Sequence, residues 1–284
     1  MIFDTHVHAW NAEGPDTPWR AGWRAYAPRP SLTVDRLLQE MDAAGVDAAA
    51  LIPPEWDARG DELTLAAAER HPGRIVAFPA LSLRDPASRE RLDDWRARPG
   101  FGGLRQVFLE APGYTPLRDG TAEWLLRAAD ELGLTLMVWL PGQLDLLPDL
   151  LDRHPGARLV VDHVDQGMEP GVAALEEAAT TLAALADRPN LAVKASALPA
   201  SASDGYPYRS THRAVRILLD AFGPARVFWG SDFARLPCDY REAVGMVAEI
   251  EGLDDHALDA LRGDAFAAYI GFQTDNEKGG SDVG

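Results

Sequence analysis

Phe3-Asp4-Thr5-His6-Val7-His8 is the first strand-like run of this chain, and its reading suggests both an architecture and a place for chemistry. A strand alternates its faces, so His6 and His8 point one way and Val7 the other. Two imidazoles on one face at a strand end suit a metal ion or a polarised oxygen. The pair alone is a weak signal. It gains weight because seven similar runs follow, several of them closed by polar residues.

The eight apolar, β-branched runs cover 2–8, 47–52, 75–81, 102–108, 135–140, 158–163, 191–196 and 227–232. Between them lie stretches of helical period, such as Leu37, Leu38, Met41 and Ala44, or Leu125, Ala128, Ala129 and Leu132. Gly45, Gly133, Pro72-Gly73 and Pro155-Gly156 mark helix ends. Thr33, followed by Asp35 and Arg36, reads as a helix entry, and so does Thr121 before Glu123. Eight such units predict an α/β fold, a (β/α)8 TIM barrel, as a single domain over 1–273. A doubly wound open sheet is the alternative, and this regularity favours closure.

The segment 10–31 is too long for an ordinary connection and carries Trp10, Trp19, Trp23 and Tyr26. It either caps a ligand at the barrel mouth or forms an aromatic mini-core that packs the loop down. The polar, Gly-rich tail 274–284 is expected to be disordered.

The chain has 284 residues, 46% of them apolar and 25% charged, as in an ordinary globular protein. A formal charge of −17 argues against nucleic acid or an anionic membrane as partner. The single cysteine, Cys238, cannot form an internal disulfide and suits a reducing compartment. With no apolar stretch of spanning length and no signal peptide, a cytoplasmic location is expected. A homo-oligomer is compatible with all of this.

Barrel chemistry sits at C-terminal strand ends. Those ends supply His6 and His8, Arg105, His163, Lys194 with Ser196, and Asp232. Parity places Lys194 and Ser196 on one face, and it sets Asp162 opposite His163. Each residue has a structural alternative: Lys194 could neutralise an interior carboxylate such as Asp4, Arg105 could anchor a lid, and Asp232 could cap a turn. Five strand ends placing costly polar groups at one focus argue for a site.

These residues resemble the amidohydrolase superfamily, and within it the branch of the pyrone-dicarboxylate and sugar-acid lactonases. The resemblance rests on Asp4-Thr5-His6-Val7-His8-Ala9-Trp10, Leu38-x-x-Met41-Asp42-x-x-Gly45-Val46, Gly103-Leu104-Arg105, Val161-Asp162-His163, Lys194-x-Ser196, and Ala221-Phe222-Gly223 leading to Gly230-Ser231-Asp232. The segment 261–271 is similar to the branch's closing helix, with Asp264 where Asn is common. Metal-dependent members add a fifth-strand histidine, but here that stretch reads Val138-Trp139-Leu140-Pro141. Arg105 cannot be carboxylated and Lys194 lies on another strand, which disfavours a binuclear centre. A mononuclear divalent ion, zinc foremost, would sit on His6, His8 and Asp232, with His163 as a further candidate ligand. A metal-free site is the other reading.

The resemblance implies a hydrolase that opens a small lactone, either carboxylate-bearing or sugar-derived. Asp232 is expected to activate water, while His6, His8 and His163 stabilise the oxyanion or hold an ion. Arg105, Lys194, Ser196, Trp10 and Tyr206 are the expected substrate-binding residues. A metal-dependent decarboxylase of a small aromatic or unsaturated acid is one alternative. A non-catalytic barrel that binds a small acid is another.

Overall fold

A computed structural model describes residues 1–273 except 112, 168 and 169. The tail 274–284 and the side chain of Trp23 lie outside the described residues.

Eight parallel strands follow the expected runs: β1 (Phe3–His8), β2 (Ala48–Ile52), β3 (Ile75–Ala77), β4 (Leu104–Val107), β5 (Thr135–Trp139), β6 (Arg158–Val161), β7 (Leu191–Ser196) and β8 (Val227–Gly230). They hydrogen-bond in sequence order as β1-β2-β3 and β4-β5-β6-β7-β8. Two seams close the cylinder. Between β3 and β4 a single bridge joins Ala77 to Phe101, extended by Arg105 N–H donating to Pro79 O at 3.0 Å. Between β8 and β1, Asp232 N–H donates to His6 O at 2.9 Å, and the Thr5 hydroxyl donates to Trp229 O at 2.8 Å. Gly230 permits this approach, because a Cβ there would lie 2.7 Å from Thr5 Oγ1. The eight-stranded barrel predicted from periodicity is the fold observed.

Alternation divides the apolar side chains into two layers. Leu51, Leu104, Val138, Val161 and Val193 face outward onto helical residues such as Leu37, Met41, Leu65 and Leu125. Ile52, Val76, Met137, Val160, Ala192 and Phe228 fill the inside. Helix Val34–Ala44 starts where Thr33 Oγ1 accepts the Arg36 N–H at 3.3 Å. It stops at Gly45 in the left-handed conformation, as helix Glu123–Leu132 does at Gly133. Thr121 is not the entry of that second helix. Its N-cap is Ala122, and Thr121 N–H instead donates to Asp119 Oδ1 at 2.9 Å, so the signal there belonged to a turn.

The segment 10–31 is rooted at both ends. Trp10 and Leu32 exchange backbone hydrogen bonds of 2.7 and 3.0 Å. The buried indole of Trp10 packs edge-on against Trp56 at 5.1 Å, and Trp19 Nε1–H donates to Asn11 O at 3.2 Å. The mini-core reading therefore describes Trp10 and Trp19. Tyr26, farther along, reaches the pocket described below.

The opposite end of the cylinder is plugged by helix Ala265–Ile270. Its Phe266 is fully buried, with ring centroids 5.1 Å from Phe3, 5.2 Å from Phe228 and 6.1 Å from Phe78. Phe266→Ala should destabilise the protein by about 3–5 kcal/mol, because a buried aromatic leaves a cavity that a closed cylinder cannot collapse into. Urea denaturation followed by circular dichroism measures this.

Candidate active site

The site begins with an irregularity in β1. The register against β2 shifts between Asp4 and Val7, so alternation does not run unbroken from Phe3 to His8. Phe3 lies in the inner layer, Val7 in the outer, and His6 and His8 enter the pocket. Asp4 is held apart from Lys194. Its fully buried carboxylate accepts hydrogen bonds from His6 N, Ser231 N, the Ser231 hydroxyl and the Tyr240 hydroxyl. That anchor fixes the turn carrying Asp232, which adopts φ 52° just beyond β8.

A second irregularity ends β6. His163, Val164 and Asp165 all take left-handed backbone angles, with φ of 56°, 53° and 55°. Non-glycine residues hold this conformation only when their surroundings enforce it. Here Asp165 Oδ1 accepts the Leu140 N–H at 3.1 Å, fastening the turn to the end of β5. Strand parity lapses at this point. Asp162 keeps the inward direction of Val160 and lies at the barrel centre, while His163, set opposite it from sequence, is turned by this backbone to join it.

Asp162 is fully buried beside two cations and an imidazole. Lys194 Nζ lies 2.9 Å from Oδ1, Arg105 Nε 3.1 Å from Oδ2, and His6 Nδ1 3.8 Å from Oδ1. Burial pushes this carboxyl up, but Lys194, His6 and Arg105 outweigh it and hold it well below the usual range. Lys194 also reaches His6 Nδ1 at 3.3 Å and Met137 Sδ at 2.8 Å. It has no exposure and does not line the pocket, so its partner is an interior carboxylate, Asp162 rather than Asp4. Arg105 does line the pocket, with Nη1 2.5 Å from Glu55 Oε1. Two protein carboxylates thus occupy the guanidinium expected to grip an acid.

The three histidines meet above this cluster. Ring centroids of His6 lie 5.0 Å from His8 and 4.3 Å from His163. All three favour the neutral state. Burial lowers His8 to about 4 and His163 to about 3, and it drives His6 well below its ordinary value. Their hydrogen bonds then set the tautomers. His8 Nδ1–H donates to Ile52 O at 2.9 Å, leaving a lone pair on Nε2 that faces Asp232 Oδ1 at 3.4 Å. Ser196 Oγ accepts the backbone N–H of His163 and lies 2.9 Å from its Nδ1. The hydroxyl proton goes to Nδ1, so His163 carries its ring proton on Nε2. Ser196 is therefore an orienting group, fully buried behind His163.

Asp232 Oδ1 and His6 Nε2 are buried and have no hydrogen-bond partner among the described residues. Burial raises the Asp232 carboxyl to about 7, against the opposing pull of Arg235 and Arg105. Two lone pairs face each other between His8 and Asp232, and such an arrangement calls for a proton or a cation between them. Ligand atoms of His6, His8 and Asp232 lie within 4.8 Å of one another, as do those of His6, Asp162 and His163. His6 serves in either state. With its proton on Nδ1 toward Asp162 its Nε2 is a ligand, and with the proton on Nε2 it is a donor. The first set fits one divalent ion.

A pocket of about 220 Å³ opens over His6, His8, His163 and Asp232, with Glu55 and Arg105 also in its lining. Trp139, Gln166 and Arg235 reach it too. A larger groove of about 980 Å³ shares Glu55 and Arg105 but contains none of the histidines or Asp232, so the smaller cavity is the chemically equipped one. Among the expected substrate-binding residues, Arg105 alone lines the smaller pocket. Trp10 is buried under its loop, and Tyr206 is 48% exposed, stacked edge-on with Tyr208 at 6.1 Å. Glu55 was missed in sequence although Pro53-Pro54-Glu55 directly follows β2, where the strand-end rule applies equally.

The amidohydrolase family model matches residues 3–265. The L-fucono-1,5-lactonase of Burkholderia multivorans is 27% identical over 267 residues, 87% of each chain. Among solved structures, an amidohydrolase from Burkholderia multivorans with bound zinc superposes with a TM-score of 0.77 at 23% identity, covering 96% of this chain and 100% of that one. A probable 2-pyrone-4,6-dicarboxylic acid hydrolase from Acinetobacter baumannii, with citric acid bound, gives 0.76 at 19% identity, covering 95% and 99%.

Lys194→Met should destabilise the protein by about 3–5 kcal/mol, because it leaves Asp162 short of its nearest countercharge. Adding Asp162→Asn should recover much of that loss, and a double-mutant cycle by denaturation measures the coupling. With the matched fold, the β1 histidine pair and the β8 aspartate in one pocket, this chain belongs to the amidohydrolase family.

Proposed function

We propose that this protein hydrolyses a small lactone, with water activated by Asp232. The observation that carries the reading is the buried, unpartnered Oδ1 of Asp232, facing a small pocket beside two imidazoles. The likeness to the L-fucono-1,5-lactonase supports a cyclic ester as substrate class. So does the size of the pocket, about 220 Å³, which suits a single ring.

In this mechanism Asp232 accepts a proton from water as its oxygen attacks the lactone carbonyl. Developing negative charge on the carbonyl oxygen is met by the Nε2–H of His163 and, with its proton on Nε2, of His6. The ring C–O bond then breaks, and Asp232 returns its proton to the departing alkoxide, giving the open hydroxy acid. Arg105, locked to Glu55 and Asp162, shapes the wall and holds the local charge. His6, His8 and Asp232 would hold a divalent ion, with zinc favoured by two nitrogen donors and one carboxylate. Such an ion would supply Lewis-acid polarisation of the carbonyl. A reducing, cytoplasmic setting accords with the lone Cys238.

The decarboxylase reading lacks support in the pocket, where the fifth strand contributes the Trp139 indole rather than a histidine. Asp232→Asn should lower kcat about 10²- to 10⁴-fold on a lactone that the wild type opens, with the circular dichroism spectrum unchanged. Titration of the released acid measures this, and a near-normal rate would remove Asp232 from the role of base. Because the base must be ionised, kcat/KM of metal-free enzyme should rise with pH through about 7. Zinc loading should move that midpoint to lower pH, since a nearby cation favours the carboxylate. A midpoint unaffected by zinc would exclude an ion at Asp232.

A further inference from the structure

We propose that Arg235 is the residue that recognises ring hydroxyls of the substrate lactone. This rests on the lactonase reading and goes further, to the group that selects the ring.

Two arginines line the pocket and Lys194 lies beneath it, and two of these three cations are committed. Lys194 is spent on Asp162, and Arg105 on Asp162 and Glu55. Arg235 lines the pocket, yet its guanidinium has no hydrogen bond or ion pair among the described residues. It is exposed, so its five N–H donors remain available to a ligand.

The backbone beneath it is held firmly. Arg235 ends the short turn Phe233–Arg235, and its N–H donates to Asp232 O at 3.0 Å. Phe233 N–H donates to Ser231 Oγ at 3.0 Å, and the Phe233 ring stacks on Tyr240 at 4.1 Å with planes 6° apart. Tyr240 in turn is bonded to the buried Asp4 carboxylate. The same anchor therefore fixes the base and the arm of the free guanidinium three residues on. A ring whose carbonyl lies at Asp232 would present its substituents within the arc that this side chain sweeps.

Charge decides which substituents. A carboxylate on the substrate would stand beside Glu55 and Asp232, whose own carboxylates line the same pocket and repel it. Hydroxyl oxygens accept from a guanidinium without that cost, and charged donors to such groups discriminate well against analogues that lack them.

The test compares D-glucono-1,5-lactone with δ-valerolactone, which has the same ring without hydroxyls. Arg235→Met should lower kcat/KM for the hydroxylated lactone about tenfold more than for the unsubstituted one, with the loss carried by KM. Arg235→Lys should recover part of it. Equal losses on both lactones, with a shifted pH midpoint, would show that Arg235 acts on Asp232 rather than on substrate and would overturn the proposal. So would no change on either. Calorimetric binding of D-gluconolactam, which resists hydrolysis, separates this from failure of the lactonase reading. Wild-type enzyme that turns over neither lactone, yet binds the lactam in an Arg235-dependent way, sinks the reading and keeps the contact. Lactam binding that is absent, or indifferent to Arg235→Met, sinks the contact.

Discussion

A fully buried ammonium and a fully buried carboxylate, Lys194 and Asp162, sit 2.9 Å apart at the centre of the cylinder. Each would cost several kcal/mol to bury alone, so neither position is tenable without the other. Arg105 shares the same carboxylate and is balanced in turn by Glu55. The chain of four charges sums to zero and extends from the interior to the pocket wall. Its influence reaches the histidines. Burial, helped by nearby cations, keeps His6, His8 and His163 neutral, the state in which an imidazole offers one donor and one acceptor nitrogen.

Much of the fold was legible in sequence because period and punctuation agreed. β-branched runs, helical spacing and the glycines at 45 and 133 all pointed to repeated strand–helix units. The site was legible in outline, since His6, His8, His163 and Asp232 do converge. Its wiring was not. Side-chain parity presumes an unbroken strand, and both decisive strands break the rule: β1 by a register shift after Asp4, β6 by a run of left-handed residues at its end. Hence His163 and Asp162 were set on opposite faces although both reach the centre, and Asp4 was offered as the partner of Lys194. Glu55 and Arg235 lie just outside a strand, where loop geometry decides whether a side chain turns inward.

The fifth strand shows how family chemistry is narrowed in this chain. Trp139 reaches the pocket and its Nε1–H donates to Gln166 O at 2.8 Å, tying the ends of β5 and β6 together. An indole there brings shape and an apolar surface but no ligand atom. The donor set in the β1–β8 corner is thereby limited to two imidazoles and one carboxylate. If zinc binds there, a set of three protein donors would suit a catalytic rather than a structural ion.

The paired backbone bonds between Trp10 and Leu32 give the intervening stretch a closed neck, with Trp10 sealed against Trp56 beneath it. Between those two residues the segment is fastened again, to the loop after β2: Arg20 N–H donates to Trp56 O at 2.7 Å, and Ala58 N–H donates to Pro18 O at 3.2 Å. Tyr26 is the part of that excursion that meets the pocket. Arg20 Nη1 also donates to Glu55 O at 2.8 Å, so a change of length in this excursion would shift two walls of the pocket together, the one bearing Tyr26 and the one bearing Glu55.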